Sequence, residues 1–252
     1  MAVVDTRNKW PLGRAIKICF LDGLSDTHAM VEEAAREWER CVNLRFEFGH
    51  PEWNSDVRIS FHPIHARHGI GSSWSGFGTD ALTSSYACNM YLDVQYRALT
   101  RGTVLHEFGH LLAFDHEHQS PKSIIQWNKT AVAMELRHRT SRFLEDNYFH
   151  TFQGPDIECT AFDPNSIMMY GIPARWTLNW QTYHNPTVLS ELDKSFAAQQ
   201  YPFPPPSQPT PPPQQVALPR VWEVACYCGD TLSQPYNFRQ RRVCRCQQSV
   251  KA

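Results

Sequence analysis

Residues 106 to 116 read HEFGHLLAFDH, and three histidines at this spacing constrain the chain more than any other feature. On a helix, His106 and His110 stand four residues apart and project from one face, close enough for both rings to reach a single ion. Glu107 points alongside. Beyond Phe114 the chain has to leave the helix and double back for His116 to supply a third ligand, which keeps the fourth tetrahedral position open. An open position is the mark of a catalytic zinc site. Zinc brings the pKa of its bound water down towards about 7, and a carboxylate within reach then takes the proton as that water attacks a carbonyl. Glu107 is the candidate base. The same ion neutralises charge growing on the carbonyl oxygen, so no covalent enzyme intermediate is needed.

A lone HExxH also occurs by chance, but a second pattern lies downstream: residues 166 to 170 read SIMMY. HEFGHLLAFDHE and SIMMY together resemble the metzincin zinc metalloendopeptidases, in their astacin-like branch, whose patterns are HExxHxxGFxHE and SxMxY. The resemblance runs from about residue 9 to 202, through SSWSGFGTDAL and LSELDKSFAAQQYP. Only the two motifs are strongly specific.

That resemblance implies an endopeptidase that cleaves internal bonds of polypeptides with one zinc ion on His106, His110 and His116 and with Glu107 activating a zinc-bound water. It implies further that Met168 forms a turn beneath the metal, and that Tyr170 sits near zinc as an extra ligand or as a donor to the oxyanion. Glu117 matches a family residue that pairs with the mature amino terminus. The fold implied is α+β: a twisted, mainly parallel sheet and two long helices above the cleft, then an irregular lower subdomain ending in a helix. Residues 90 to 94 would form an edge strand that pairs with an extended substrate. One departure stands out, since the family glycine at the helix exit is Ala113 here, and a left-handed conformation costs a non-glycine residue about 1 kcal/mol or more. If the helix ends another way, His118 is the substitute ligand.

The hydrophobic pattern is read independently of that likeness. Residues 14 to 21, 44 to 48 and 57 to 61 alternate with a period of two, and MYLDV at 90 to 94 makes a fourth candidate strand. Between the first two, Met30, Ala34, Trp38 and Cys41 fall at helical spacing, with Ser25 or Asp26 available as a cap. After about residue 117 short helical pieces and irregular chain take over, closing on LSELDKSFAAQQ, where Ser190 and Asp193 resemble a capping box. Three regions result: a catalytic domain over 1–201, a proline-rich linker over 202–218 that holds near polyproline II, and a small cysteine-containing tail over 219–252.

Charge excludes little but is informative: 24 basic residues nearly balance 25 acidic ones. No broad field exists to draw in nucleic acid or an anionic membrane. No stretch approaches the ~20 apolar residues of a membrane helix, and the first residues lack the apolar core of a signal peptide. Eight cysteines fall into two even sets, Cys19, Cys41, Cys88 and Cys159, then Cys226, Cys228, Cys244 and Cys246. Disulfide pairing and an extracellular setting follow as expectations, at odds with the missing signal peptide. In the tail, Cys226 and Cys228 would bridge Cys244 and Cys246 in either order, in preference to a zinc site on all four, making an attachment or substrate-recruiting module of unknown partner, with a disordered basic tail as the plain alternative.

Weaker features read as ordinary structure. HPIHARH places His62, His65 and His68 in a loop without carboxylate or cysteine partners, which favours a solvated segment over a second metal site. Trp53, Trp74, Trp127, Trp176 and Trp180 read as packing residues, some of them near substrate pockets. Two other functions fit parts of the pattern: an inactive zinc-bearing scaffold whose tail binds a partner, and a zinc hydrolase of another class such as an amidase. SIMMY and the third histidine favour the peptidase.

Overall fold

Strand and helix alternate up to the histidine-bearing helix. β1 (Val3–Asp5), β2 (Ala15–Phe20), α1 (Ser25–Glu39), β3 (Arg45–Phe48), β4 (Val57–Ser60), β5 (Trp74–Ser75) and β6 (Met90–Tyr91) lead into α2 (Arg101–Leu111). Beyond it come β7 (Phe114–Asp115), α3 (Lys129–Glu135), α4 (Ser141–Leu144), β8 (Ile157–Cys159) and α5 (Glu191–Gln200). The computed structural model describes residues 3–66, 72–96 and 98–205. One compact unit spans Met1–Pro205. The four tail cysteines, His68 and the chain from 206 onward lie outside the described residues.

The larger sheet has the order β3-β2-β4-β6-β5. Its first four strands run parallel, and β5 closes it antiparallel to β6. Parallel strands need cover on both faces, so they are rich in apolar side chains. Ile16, Ile18, Val57, Ile59 and Met90 are fully buried, in one core with Val31, Ala34, Ala35 and Trp38 of α1 and Val104, Leu105, Phe108 and Leu111 of α2. The helix read between β2 and β3 is α1. Its cap is not the expected one: Leu24 holds the N-cap position with no side-chain bond, and Asp26 falls in the first turn, where a carboxylate favours the helix dipole.

The edge strand expected at residues 90 to 94 is corrected. Only Met90 and Tyr91 are strand, enclosed between β4 and β5, and among the described residues the sheet edge belongs to Trp74 and Ser75. A strand of two paired residues has no period to read. Trp74 stands opposite Tyr91 and Ser75 opposite Met90, and the next amide, Gly76 N–H, donates to Asn89 O at 2.6 Å.

A second sheet, β7-β1-β8, is small and antiparallel. It was not legible in a sequence whose pieces are two and three residues long, yet it fastens the chain leaving α2 to the amino-terminal strand. Below it a separate apolar cluster forms around Val132, Leu144, Met169, Ile172, Trp176 and Tyr183. The irregular lower half ends in α5, whose capping box is complete: Ser190 Oγ accepts from Asp193 N–H while Asp193 accepts from Ser190 N–H.

Two expectations fail on packing. Trp53 and Trp180 are 85% and 73% exposed, whereas Trp74 and Trp176 are buried. Cys19, Cys41 and Cys159 carry free thiols, one in the larger sheet, one behind α1 and one in the smaller sheet. The expected pairing within the first cysteine set is therefore not made.

Candidate active site

Everything at the site depends on how α2 begins, what it rests on and how it ends. Thr100 caps it, its Oγ accepting from Thr103 N–H at 3.1 Å. Midway, Gly109 lets the SIMMY turn approach: a Cβ there would lie 2.3 Å from Met168 Sδ, so only glycine leaves room. Met168 is fully buried beneath the helix. The turn that presents it is made by Met169 N–H on Ser166 O at 2.9 Å and Met168 N–H on Ser166 Oγ at 3.1 Å.

At the far end Ala113 does adopt the left-handed conformation, with φ of 64°. The last carbonyls of a helix lack intrahelical partners. Here Trp10 Nε1 donates to Leu111 O at 2.7 Å, Tyr201 Oη to Leu112 O at 2.9 Å and Asp5 N–H to Ala113 O at 3.3 Å. Three remote parts of the chain thus hold the exit in place. The Ala113 methyl is accommodated opposite Gly78, where an added Cβ would come within 2.9 Å of it. The chain then pairs with β1 and turns back, bringing His116 to the helix face.

His106, His110 and His116 converge, with one donor atom from each lying within 4.8 Å of the others. Each ring is fixed through its Nδ1. His106 Nδ1 lies 2.9 Å from Ile167 O, His110 Nδ1 lies 2.9 Å from Phe114 O, and His116 Nδ1 lies 3.0 Å from Gln119 Oε1. A carbonyl only accepts, so these nitrogens carry the protons and each Nε2 lone pair is free. The Nε2 atoms of His110 and His116 are 3.1 Å apart. Two lone pairs at that distance repel unless a cation lies between them, and bonds of about 2.0 to 2.1 Å in a tetrahedron set zinc-bound nitrogens about 3.3 Å apart. The donor set fits zinc.

Electrostatics point the same way. Burial keeps all three imidazoles neutral: it lowers His106, brings His110 to about 3 with help from His106, and holds His116 well below the usual histidine range. Neutral imidazole is the form that binds metal. Glu107 is 5% exposed, its Oε2 has no hydrogen-bond partner, and burial raises its carboxyl to about 8. A buried carboxylate oxygen left without a donor is costly, and a nearby cation or a water donor relieves it. His118 stands outside the group: its ring stacks 5.2 Å from that of His116, and its Nε2 donates to Asn147 O at 2.9 Å. The Tyr170 ring lies 4.2 Å from that of His116, and burial raises its phenol, so it stays protonated.

The histidines open onto two adjoining hollows of about 400 and 430 Å³. Ser72, Ser73, His106, Glu107 and Tyr170 line both, with Thr187 on one side and Tyr148 on the other. A larger hollow of about 760 Å³ between α1 and β3 contains none of these residues. Sequence reasoning missed Ser72 and Ser73, which precede the short β5, and Asn147 and Tyr148, which sit on a π-helical turn, Glu145–Phe149, continuing α4. No periodic signal marks either segment.

The chain is 26% identical over 175 residues to astacin-like metalloprotease toxin 5 of Loxosceles gaucho, spanning 68% of this chain and 81% of that protein. A solved structure of myroilysin superposes with a TM-score of 0.72 at 30% identity, covering 80% of this chain and 99% of the other. The chain is an astacin-like metzincin. As an astacin-like enzyme it is a zinc metalloendopeptidase, a hydrolase of peptide bonds. The same fold recurs in high choriolytic enzyme 1, a hatching enzyme zinc-protease from the medaka Oryzias latipes, with a TM-score of 0.52 at 17% identity, over 77% of this chain and 94% of that one. No protein-family model matches the sequence. Among the described residues, no helix of this astacin-like chain is long and apolar enough to cross a membrane.

Proposed function

We propose that His106, His110 and His116 hold one zinc ion through their Nε2 atoms, that Glu107 is the general base, and that Tyr170 donates to the oxygen of the scissile carbonyl. The observation that carries this reading is the unpartnered Oε2 of Glu107 beside three imidazoles whose Nδ1 protons are all committed elsewhere. When bound, zinc supplies Lewis acidity to the peptide carbonyl and to the attacking water. Glu107 Oε2 takes the proton of that water and passes it to the leaving nitrogen. A cation held by the three histidines would favour the ionised form of Glu107, the form that accepts the proton. Tyr170, protonated and packed against His116, meets the charge that develops on the carbonyl oxygen.

The substrate is an extended polypeptide. β5 ends the larger sheet beside the hollows that Ser72 and Ser73 line, and an extended chain laid along these serines would run across the histidines. This role passes to residues 72 to 75 from the segment at 90 to 94, whose strand residues Met90 and Tyr91 are already paired on both sides. An extracellular setting is supported by the toxin among the similar proteins and not by the described cysteines.

Metal analysis joined to a peptidase assay tests the whole reading. Wild type is expected to hold one zinc and to lose casein cleavage on chelation, regaining it with zinc. Glu107→Ala is expected to keep the metal and lose turnover by about 100-fold to 10,000-fold. Full activity in that variant refutes the mechanism, and a wild-type protein that takes up no zinc refutes the site.

A further inference from the structure

Gln119 is 2% exposed and was not marked by any motif. Its amide bridges two parts of the site wall. Nε2 donates to Asp146 O at 2.9 Å, at the π-helical turn, and that bond fixes which way the amide faces. Oε1 is thereby turned to His116, 3.0 Å from its Nδ1. The Gln119 backbone is held as well, since its N–H donates to His116 O at 3.1 Å and its carbonyl accepts from Phe152 N–H at 3.0 Å. A side chain this enclosed, with donor and acceptor both committed, has one orientation.

The three histidines are not equally supported. His106 and His110 lean on main-chain carbonyls, of Ile167 and Phe114, which no substitution removes. His116 sits at the N-cap of a single 3₁₀ turn, Glu117–Gln119, and leans on a side chain. Asp115 Oδ1 is the other acceptor nearby, but it is 3.4 Å from His116 Nδ1 and already takes the His116 backbone N–H at 2.8 Å.

We infer that Gln119 is a positioning residue for the third zinc ligand: its amide oxygen fixes the tautomer and plane of His116, and so sets how tightly the metal is held. The inference rests on His116 being a ligand. Partners of this kind typically account for 10-fold to 100-fold in metal affinity. The π-helical turn enters through the same amide, because the Asp146 carbonyl is what keeps Gln119 Oε1 pointing at the ring.

Two replacements separate this role from simple packing. Gln119→Met fills the space but offers no acceptor to His116. Gln119→Glu keeps an acceptor there and loses the donor to Asp146. Zinc dissociation constants of the full-length chain, measured by competition with a chromophoric chelator, are expected to rise about 10-fold to 100-fold in Gln119→Met and to stay within about threefold of wild type in Gln119→Glu. Thermal midpoints of the zinc-free proteins report folding separately. Equal weakening in both variants would assign Gln119 to the wall alone and overturn the inference, as would unchanged affinity in Gln119→Met. His116→Ala serves as the reference: if it binds zinc as wild type does, the ligand assignment itself falls.

Discussion

His106 Nδ1 lies 2.9 Å from the carbonyl oxygen of Ile167, sixty-one residues further along the chain. The amide of the same Ile167 donates to Asp193 Oδ2 at 2.8 Å. The backbone of one residue thus joins the first histidine to the start of α5. Asp193 is fully buried and also accepts from Ser166 Oγ at 2.8 Å and from Ser190 N–H at 2.9 Å.

Replacing Asp193 with Asn puts an NH₂ group where donors already converge. The cost is expected to be about 2 kcal/mol, the range for a buried donor left unmatched. For a domain of this size that lowers the thermal midpoint by about 4 to 8 °C. Because Ile167 moves with Asp193, zinc affinity is expected to weaken too; a variant that melts early but binds zinc normally would show that the link to His106 is slack.

Tyr170→Phe removes a hydroxyl without emptying the ring position between His116 and His118. Its kcat is expected to fall by about 100-fold to 1,000-fold, as for loss of one oxyanion donor. Zinc content and KM are expected to change little. Loss of the metal instead would recast Tyr170 as a ligand, and an unchanged kcat would remove it from the chemistry.

The zinc-free protein should become less stable as pH rises from about 6.5 to about 8. Burial holds Glu107 at about 8 and Glu117 at about 7, against about 4.3 in an unfolded chain. In that window the folded protein keeps protons that the unfolded chain has shed, so their contribution is whole at low pH and is lost as pH climbs through the folded values. Histidines work the other way, with His110 at about 3 and His118 at about 4. They destabilise only once pH falls below about 6.5, where the unfolded chain begins to take protons. The slope is expected to reach at most about 1.4 kcal/mol per pH unit for each carboxyl. Urea melts of chelator-stripped wild type and Glu107→Gln check it, since the variant should be flatter; identical profiles would mean Glu107 is not held protonated.

Gly78→Ala should be far worse than a surface change of the same size. The residue has φ of 47°, and an added Cβ would meet Asn8 O at 2.0 Å and the Ala113 methyl at 2.9 Å. Destabilisation on the order of 3 kcal/mol is expected, from backbone strain and overpacking together. Pairing it with Ala113→Gly removes one of the two clashes. The double variant should melt above Gly78→Ala alone, and equal midpoints would show that the Asn8 carbonyl accounts for the whole cost.

What sequence could and could not reveal follows from the range of the forces involved. α1 and the first three parallel strands carry an apolar period, α2 follows from the spacing of its histidines, and Ser190 with Asp193 is a local contact. All of these were legible. His106 and His110 need only helical spacing to stand together. The convergence of His116 was readable through motif alone, because it depends on Trp10, Tyr201 and Asp5 holding the helix exit from remote parts of the chain. β5, β7 and the π-helical turn are too short to carry a pattern. Gln119 was missed for the same reason: its role exists only once Asp146 and His116 are on either side of it.

Ala113 and Gly78 face one another like a tooth and its socket. This chain keeps a methyl group at the left-handed bend, and the wall opposite is hollow where it lands. Substitutions at either position are therefore not free to drift alone, and a pattern demanding glycine at residue 113 would pass over a backbone that makes the same bend with a different division of labour.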